Sequence, residues 1–329
     1  MVISKTSPAA VQASADAIAP LTETIAALKQ QNEQLAQQVK TLSAQVARLQ
    51  TVAERDTELE PLLGRLDYTI QKKANSERVA TAVDAATLTM EPCPYTVIDD
   101  VLPITVYRAL LRGIPPVELF LNNDAGKPHL PVPFKLAPAY SQRIWNYVAV
   151  ELVQETIAPR LIEKFRAVID EWIARNWPDI DPRSVELQGS EGRIMFRGRG
   201  YRIRPHRDPK WAFITCILYL ARPGDDEAWG TQLYYVDDDK EAKNVAPHWI
   251  DEKQCRLADD VKFVPNRLLV FLNSVGAHGA FIPADAPPET ERYIYQFRIG
   301  PTLEMMQMLK SKLPAERQPL WSGKASVDY

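Results

Sequence analysis

The stretch Tyr201-Arg-Ile-Arg-Pro-His206-Arg-Asp208-Pro209, answered about seventy residues later by Ala277-His278-Gly279, decides how the chain is read. The chain has four histidines, and two of them fall in this pattern. His-x-Asp with a distant His is the donor set of a two-histidine, one-carboxylate metal site. Such a set holds divalent iron on one face and leaves the other face open. His206 and Asp208 share a face if they close a strand, because residues two apart in a strand point the same way. A bare His-x-Asp is weakly specific, so its surroundings must carry the weight.

Outward from this stretch, the hydrophobic period is that of strands. Segments 185–188, 193–196, 201–204, 213–220, 232–236, 267–272 and 292–299 are short, β-branched or aromatic, and separated by turn residues. Residues 213–220 are almost continuously apolar. This spacing predicts an α+β fold built on a double-stranded β-helix, or jelly roll, with packing helices. His278 then follows the strand at 268–272. Arg292 and Arg298, six residues apart on the last strand, face one side of it and do not separate on sequence alone. A guanidinium on that side suits the distal carboxylate of a chelating 2-oxo acid. The polar stretch 237–260 reads as a long loop, either a lid or a plain surface insertion.

Upstream, residues 95–98 read as a strand and 104–112 as a helix. Residues 114–138 read as a loop, and 139–156 and 159–176 as two amphipathic helices ended by Trp177-Pro178-Asp179. A Met-rich helix is expected at 303–313, then a polar tail.

The N-terminal part carries a different period. Leu21, Leu28, Leu35, Leu42 and Leu49 recur every seven residues, interleaved with Ile18, Ile25, Asn32, Val39 and Val46. Alternating steps of three and four make a coiled-coil seam. β-branched residues at a with Leu at d favour a parallel pair, and one Asn at an a position sets register and oligomer state. The competing reading is a single amphipathic helix lying on its own domain. The expected plan is a loose tail at 1–15, a coiled coil at 16–55, a helical connector at 56–88, a catalytic domain at 89–300 and a C-terminal helix and tail at 301–329. Residues 18–53 would form a homodimer.

Composition narrows the function classes. Net charge is −3, with no basic block, which gives no sign of nucleic-acid binding. No stretch is long and apolar enough to span a membrane. Cys93, Cys216 and Cys255 lie far apart, which points to a reducing compartment without disulfides. The expected location is therefore the cytoplasm.

Residues 200–300 resemble the Fe(II)/2-oxoglutarate-dependent dioxygenases, and most of all their prolyl 4-hydroxylase-like branch. Residues 201–209 resemble that family's His-x-Asp strand, and Ile214-Thr-Cys-Ile-Leu-Tyr219-Leu220 the strand after it. Trp229-Gly230-Thr-Gln-Leu233 resembles its Gly-Gly-x-Leu turn, with Thr231 where a second glycine is common. Asn266-Arg-Leu-Leu-Val-Phe271-Leu272 with His278, and Glu291-Arg292-Tyr293-Ile294, complete the order.

The resemblance implies Fe(II) on His206, Asp208 and His278, with 2-oxoglutarate and O₂ as co-substrates. It implies Arg292 as the carboxylate anchor, assisted by Tyr219. The segment 284–290 lengthens the gap from His278 to Arg292, so Arg298 stays a second candidate. A retained carboxylate ligand favours hydroxylation over halogenation. The implied substrate is a small molecule or a protein side chain. The alternative is a non-catalytic jelly-roll scaffold, dimerised by its coil, that carries a relic site.

His129 and His248 read as packing or surface residues. Trp211, Trp229 and Trp249 flank the expected mouth of the site and read as half-buried packing residues, with a channel lining as the alternative. Arg197, Arg199, Arg202, Arg204 and Arg207 read as a receiver for an acidic substrate or as a solvated strand face.

Overall fold

The computed structural model describes residues 8–120, 128–132, 134–237, 249–273 and 275–321. The chain divides after Glu54 into two units.

The first unit is helical. Helix α1 is present from Pro8 and runs to Leu59. The expected loose tail is therefore helical over residues 8–15, while residues 1–7 lie outside the described residues. The cause is composition. Six alanines between Ala9 and Ala19 favour the helix, and Pro8 sits in a first turn where its missing N–H costs nothing. Pro20 lies near the start of the coiled coil expected at 16–55 but well inside the observed helix, so the backbone carbonyl of Asp16 lacks its helical partner. The d-position residues Leu28, Leu35, Leu42 and Leu49 are 49–59% exposed, as are Ile25, Val39 and Val46 at 53–61%.

The second unit begins with helices α2 (Leu63–Ile70) and α3 (Lys73–Ala85). Read as a connector, this segment is instead part of the core: Leu59, Leu66, Ile70, Val79 and Val83 are buried in one cluster with the sheet. Strand β1 (Tyr95–Ile98) and helix α4 (Ile104–Arg112) match the sequence reading. Within 114–138, a short strand β2 (His129–Pro131) stands where a loop was expected, and residues 121–127 and 133 lie outside the described residues.

The two expected helices at 139–176 are joined differently. Helix α5 (Ala139–Tyr147) widens into a π-helical segment at Val148–Ile157 and continues as α6 (Ala158–Lys164). The break falls at Phe165, before α7 (Arg166–Asn176). A proline ring clashes with the carbonyl four residues back in a tight α-turn. Here Pro159 follows directly on the wider π-turn, and the helix passes through it.

Two antiparallel sheets follow. Strands β3 (Leu187–Gly189), β4 (Arg193–Arg197), β6 (Ile214–Tyr219), β9 (Leu268–Leu272) and β11 (Arg292–Pro301) join β1 and β2 in a seven-stranded sheet ordered β1-β9-β6-β11-β4-β2, with β3 also on β11. Strands β5 (Arg202–His206), β10 (Ala277–Phe281), β7 (Thr231–Val236) and β8 (Cys255–Val261) make a four-stranded sheet in that order. The stretch expected to be one loop at 237–260 thus contains an edge strand; residues 238–248, with His248, lie outside the described residues.

Side-chain alternation places the cores. On β6, β9 and β11, Ile214, Cys216, Leu218, Leu268, Val270, Tyr293, Tyr295 and Phe297 pack in the cluster shared with the helices. Their neighbours Ile217, Tyr219, Leu269, Phe271 and Ile294 join Leu233 and Val261 of the second sheet. These strands are buried on both faces, which is why residues 213–220 read as continuously apolar rather than alternating. Helix α8 (Leu303–Ser311) and a short α9 (Gln318–Trp321) close the unit. The expected polar tail buries Trp321, whose ring meets Trp177 at 5.4 Å.

Candidate metal centre

Strands β5 and β10 are antiparallel neighbours, and His206 is directly opposite His278. Their ring centroids are 4.1 Å apart. Asp208 follows the end of β5, with Oδ1 4.0 Å from His206 Nε2. Each residue offers one ligand atom, and the three atoms lie within 4.8 Å of one another. All three residues are buried. The pairing slips just after His278, at Gly279, where a Cβ would come within 2.9 Å of the Ile203 carbonyl. Glycine there lets β5 and β10 approach at the point where the two histidines meet.

The tautomer of His206 is set by its backbone. Nδ1 lies 2.9 Å from the Arg204 carbonyl, which can only accept, so Nδ1 carries the proton and Nε2 keeps its lone pair for the triad. The Trp249 ring packs on the other side at 5.5 Å.

Asp208 is held from two strands. Thr215 on β6 donates to Oδ2 at 2.5 Å, and Arg298 on β11 donates to Oδ1 at 3.2 Å. Thr215 and Arg298 are register partners, so both reach the same carboxylate. The Thr215 hydroxyl in turn accepts from Asn273 Nδ2 at 2.7 Å, and that amide also donates to the Ala212 carbonyl. Burial alone would push the Asp208 carboxyl up. The Arg298 charge foremost, then the neighbouring His278 and His206 rings and the Thr215 hydrogen bond, instead hold it well below the usual carboxylate range.

Ligands about 2.0–2.2 Å from a first-row ion stand roughly 3–4 Å apart. The 4.0 Å between His206 Nε2 and Asp208 Oδ1 lies at the upper end of that range, so an ionised carboxylate and an imidazole with its proton on Nδ1 suit such an ion. Three protein ligands would leave further positions open.

The two candidate arginines are separated by their contacts. Arg298 touches the triad itself and lies over Trp211 at 5.5 Å. Arg292 is 2% exposed; its Nε donates to the Trp229 carbonyl and its Nη2 to the Gly230 carbonyl at 3.3 Å. It lies over the rings of Phe263 and Tyr219, at 5.2 Å and 5.8 Å. Among the described residues no carboxylate pairs with it, and burial pushes its pKa down. Arg197, its register partner on β4, is also buried and hydrogen-bonds to the Pro128 and Phe196 carbonyls and the Met195 sulfur. Burial raises the Tyr219 phenol to about 12, offset in part by Arg292, so it stays a donor at neutral pH.

Three solved structures share this fold loosely. HygX from Streptomyces hygroscopicus, with nickel and 2-oxoglutarate bound, has a TM-score of 0.41 and 13% identity over 64% of this chain and 83% of its own. A prolyl hydroxylase from Trichoplax adhaerens, in complex with a hypoxia inducible factor peptide fragment, has 0.38 and 14% over 69% and 89%. A prolyl-4-hydroxylase from Pseudomonas putida has 0.36 and 16% over 68% and 99%. No family model and no curated protein matches the chain. The likeness is too loose to match residues across, so every role below rests on this chain's own geometry.

Several site features escaped the sequence. Thr215 sat within an apolar strand, where a buried hydroxyl must find a partner, and that was a usable signal. Asn273 lies just past a strand end and gave none. His129 is placed on β2, opposite Met195 of β4. Of the five alternating arginines, Arg197 and Arg207 are buried, while Arg202 pairs with Glu252 at 2.7 Å and Arg204 covers Trp249.

Proposed function

We propose that the protein is an Fe(II)- and 2-oxoglutarate-dependent oxygenase that hydroxylates a small molecule or a protein side chain. The observation that carries this reading is the buried set His206, Asp208 and His278, with the His206 ring proton on Nδ1 and Asp208 ionised. Bound iron and 2-oxoglutarate would supply O₂ activation, coupled to decarboxylation of the co-substrate to succinate.

The chain's own residues have separate tasks in this reading. His206 and His278 give neutral imidazoles. Thr215 and Arg298 fix the carboxylate of Asp208 and leave lone pairs for the ion. Arg292 is a buried cation with no acidic partner among the described residues, a costly arrangement that an anionic ligand group would relieve. Its guanidinium and the neutral Tyr219 hydroxyl would hold the distal carboxylate of 2-oxoglutarate.

In the same reading the catalytic domain at 89–300 is completed by the helices at 56–88 and the segment 301–329. Residues 18–53 pair two copies in parallel through the exposed seam. Three free cysteines fit a reducing cytoplasm.

The test separates binding from chemistry. Anaerobic protein with Fe(II) and 2-oxoglutarate should show the weak visible charge-transfer band of a chelated 2-oxo acid. His206→Ala or His278→Ala should abolish it, and admitting O₂ to the wild type should yield succinate. Metal binding without band or succinate would return the chain to the scaffold reading.

A further inference from the structure

Strands β5 and β10 carry both triad histidines on the inner face of the four-stranded sheet, and their outer face carries something else. His278 points inward with Leu233, its register partner in the core between the sheets. The next residue, Gly279, and its partner Gln232 therefore point outward. Phe281 and its partner Arg202 share that outer face. A groove of about 360 Å³ lies there, lined by Arg202, Arg204, Gln232, Tyr234, Glu252 and Phe281. That volume falls within the range of small-molecule sites.

Glycine opens the groove. Gly279 is on the middle strand, between β5 and β7, and brings no side chain to fill the space. A Cβ there would stand 3.4 Å from Tyr234 Cε2, so the Tyr234 ring forms one wall. Phe281, two residues further along β10 and 46% exposed, forms another. Neighbouring strands lie about 4.8 Å apart, so the backbones of β5 and β7 are roughly 10 Å apart across this notch.

The polar groups are unevenly matched. Arg202 pairs with Glu252 at 2.7 Å. The Arg204 guanidinium lies over the Trp249 ring at 5.3 Å and has no carboxylate partner among the described residues. The Tyr234 hydroxyl donates to Gln232 Oε1 at 2.6 Å, which orients that amide and leaves its NH₂ group to donate. All of these groups reach solvent: Arg204 and Phe281 are exposed, and Gln232 and Tyr234 are half-buried.

The groove thus offers one uncompensated cation, one amide donor and two aromatic walls. Its complement is a flat apolar body with a single negative charge. A carboxylate matches a guanidinium in bidentate fashion and keeps a lone pair for the amide. A phosphate dianion would bring its second charge up to Glu252. An uncharged ring would leave Arg204 unmatched.

We propose that this outer groove is a second ligand site, for a small aromatic monocarboxylate whose carboxylate meets Arg204 and the Gln232 amide and whose ring lies over Gly279 against Tyr234 and Phe281. The site faces away from the triad and does not rest on the oxygenase reading.

The test is a titration of 4-fluorophenylacetate with the full chain, in the presence of Zn(II) and excess 2-oxoglutarate, followed by ¹⁹F NMR. The ligand signal should broaden and shift saturably. The matching 4-fluorophenylacetamide, which keeps the ring and loses the charge, should bind roughly fivefold more weakly, the size of an exposed ion pair. Arg204→Gln should bring the acid down to the level of the amide and leave the amide unchanged. Phe281→Ser should weaken acid and amide alike. Both positions are exposed, so both variants should fold.

No saturable response, equal binding of acid and amide, or unchanged binding of the acid by Arg204→Gln would overturn the proposal. So would tighter binding of phenyl phosphate. Displacement of the acid by further 2-oxoglutarate would put it at Arg292 and overturn the proposal as well.

Discussion

Thr215 interrupts the apolar run 213–220 with a hydroxyl that has no solvent to meet, since it is fully buried. It accepts from Asn273 and donates to Asp208, so it would orient a proposed metal ligand without being one. Replacing it with the near-isosteric Val should leave the fold intact and weaken metal binding by roughly 10–100-fold, the usual effect of losing such a partner. Anaerobic Fe(II) titration by calorimetry measures this, and wild-type affinity in Thr215→Val would remove Thr215 from the centre.

Arg292 gives the second prediction at this scale. Arg292→Gln should lower 2-oxoglutarate affinity by roughly 10–100-fold, corresponding to about 1.5–3 kcal/mol for a charge-assisted contact. It should leave 2-oxobutyrate, which lacks the distal carboxylate, unaffected. Equal losses for both acids would place the anchor elsewhere.

Asp208 sets a pH dependence in the metal-free protein. Its folded pKa is depressed, so its contribution to stability is complete above the ordinary carboxylate value near 4 and is lost as pH falls below it. Arg298→Gln removes the foremost of the charges that lower it. The variant should be less stable at pH 7, and its melting temperature should fall less steeply between pH 5 and pH 3. A parallel pair of curves would show that Arg298 does not hold the carboxylate.

At the scale of elements, legibility follows burial. Strands β1, β4, β6, β7, β9 and β11 lay within a few residues of their expected places because each buries at least part of an apolar face. Strand β8 was hidden, since Cys255-Arg-Leu-Ala-Asp-Asp-Val261 is an edge strand whose charges protect it from further pairing. Short β2, carrying Pro131 at an edge, was hidden for the same reason. The triad was readable because His206 and Asp208 are two apart at a strand end. The choice between Arg292 and Arg298 was not, because it depends on what the neighbouring strands bring to each.

The same contrast predicts stabilities. Phe297→Ala, in the core face of β11, should cost about 3–5 kcal/mol. Leu257→Ala, 51% exposed on β8, should stay within roughly 0.5 kcal/mol. Urea denaturation of both variants tests whether β8 is the soft edge that its burial implies.

For the molecule as a whole, the seam on α1 is the unsettled account. Isolated apolar side chains on a surface need no explanation, but a strict heptad of half-exposed Leu, Ile and Val does. In the proposed pairing a second copy of the same helix would cover that seam and give Asn32 a partner across the pair. The full chain should therefore be a dimer by light scattering.

A chain beginning at Arg55 should be a monomer that still binds metal, because the second unit holds the triad and its supports. A chain beginning at Thr89 should be unstable, because it loses Leu59, Leu66, Ile70, Val79 and Val83 from the shared core. Asn32→Val should raise the melting temperature of the dimer while admitting other oligomers, since an amide buried across the proposed pair would cost stability in exchange for register. A full chain that is monomeric at tens of micromolar, or an Asn32→Val variant indistinguishable in both stability and oligomer state, would leave the heptad without a partner of its own kind.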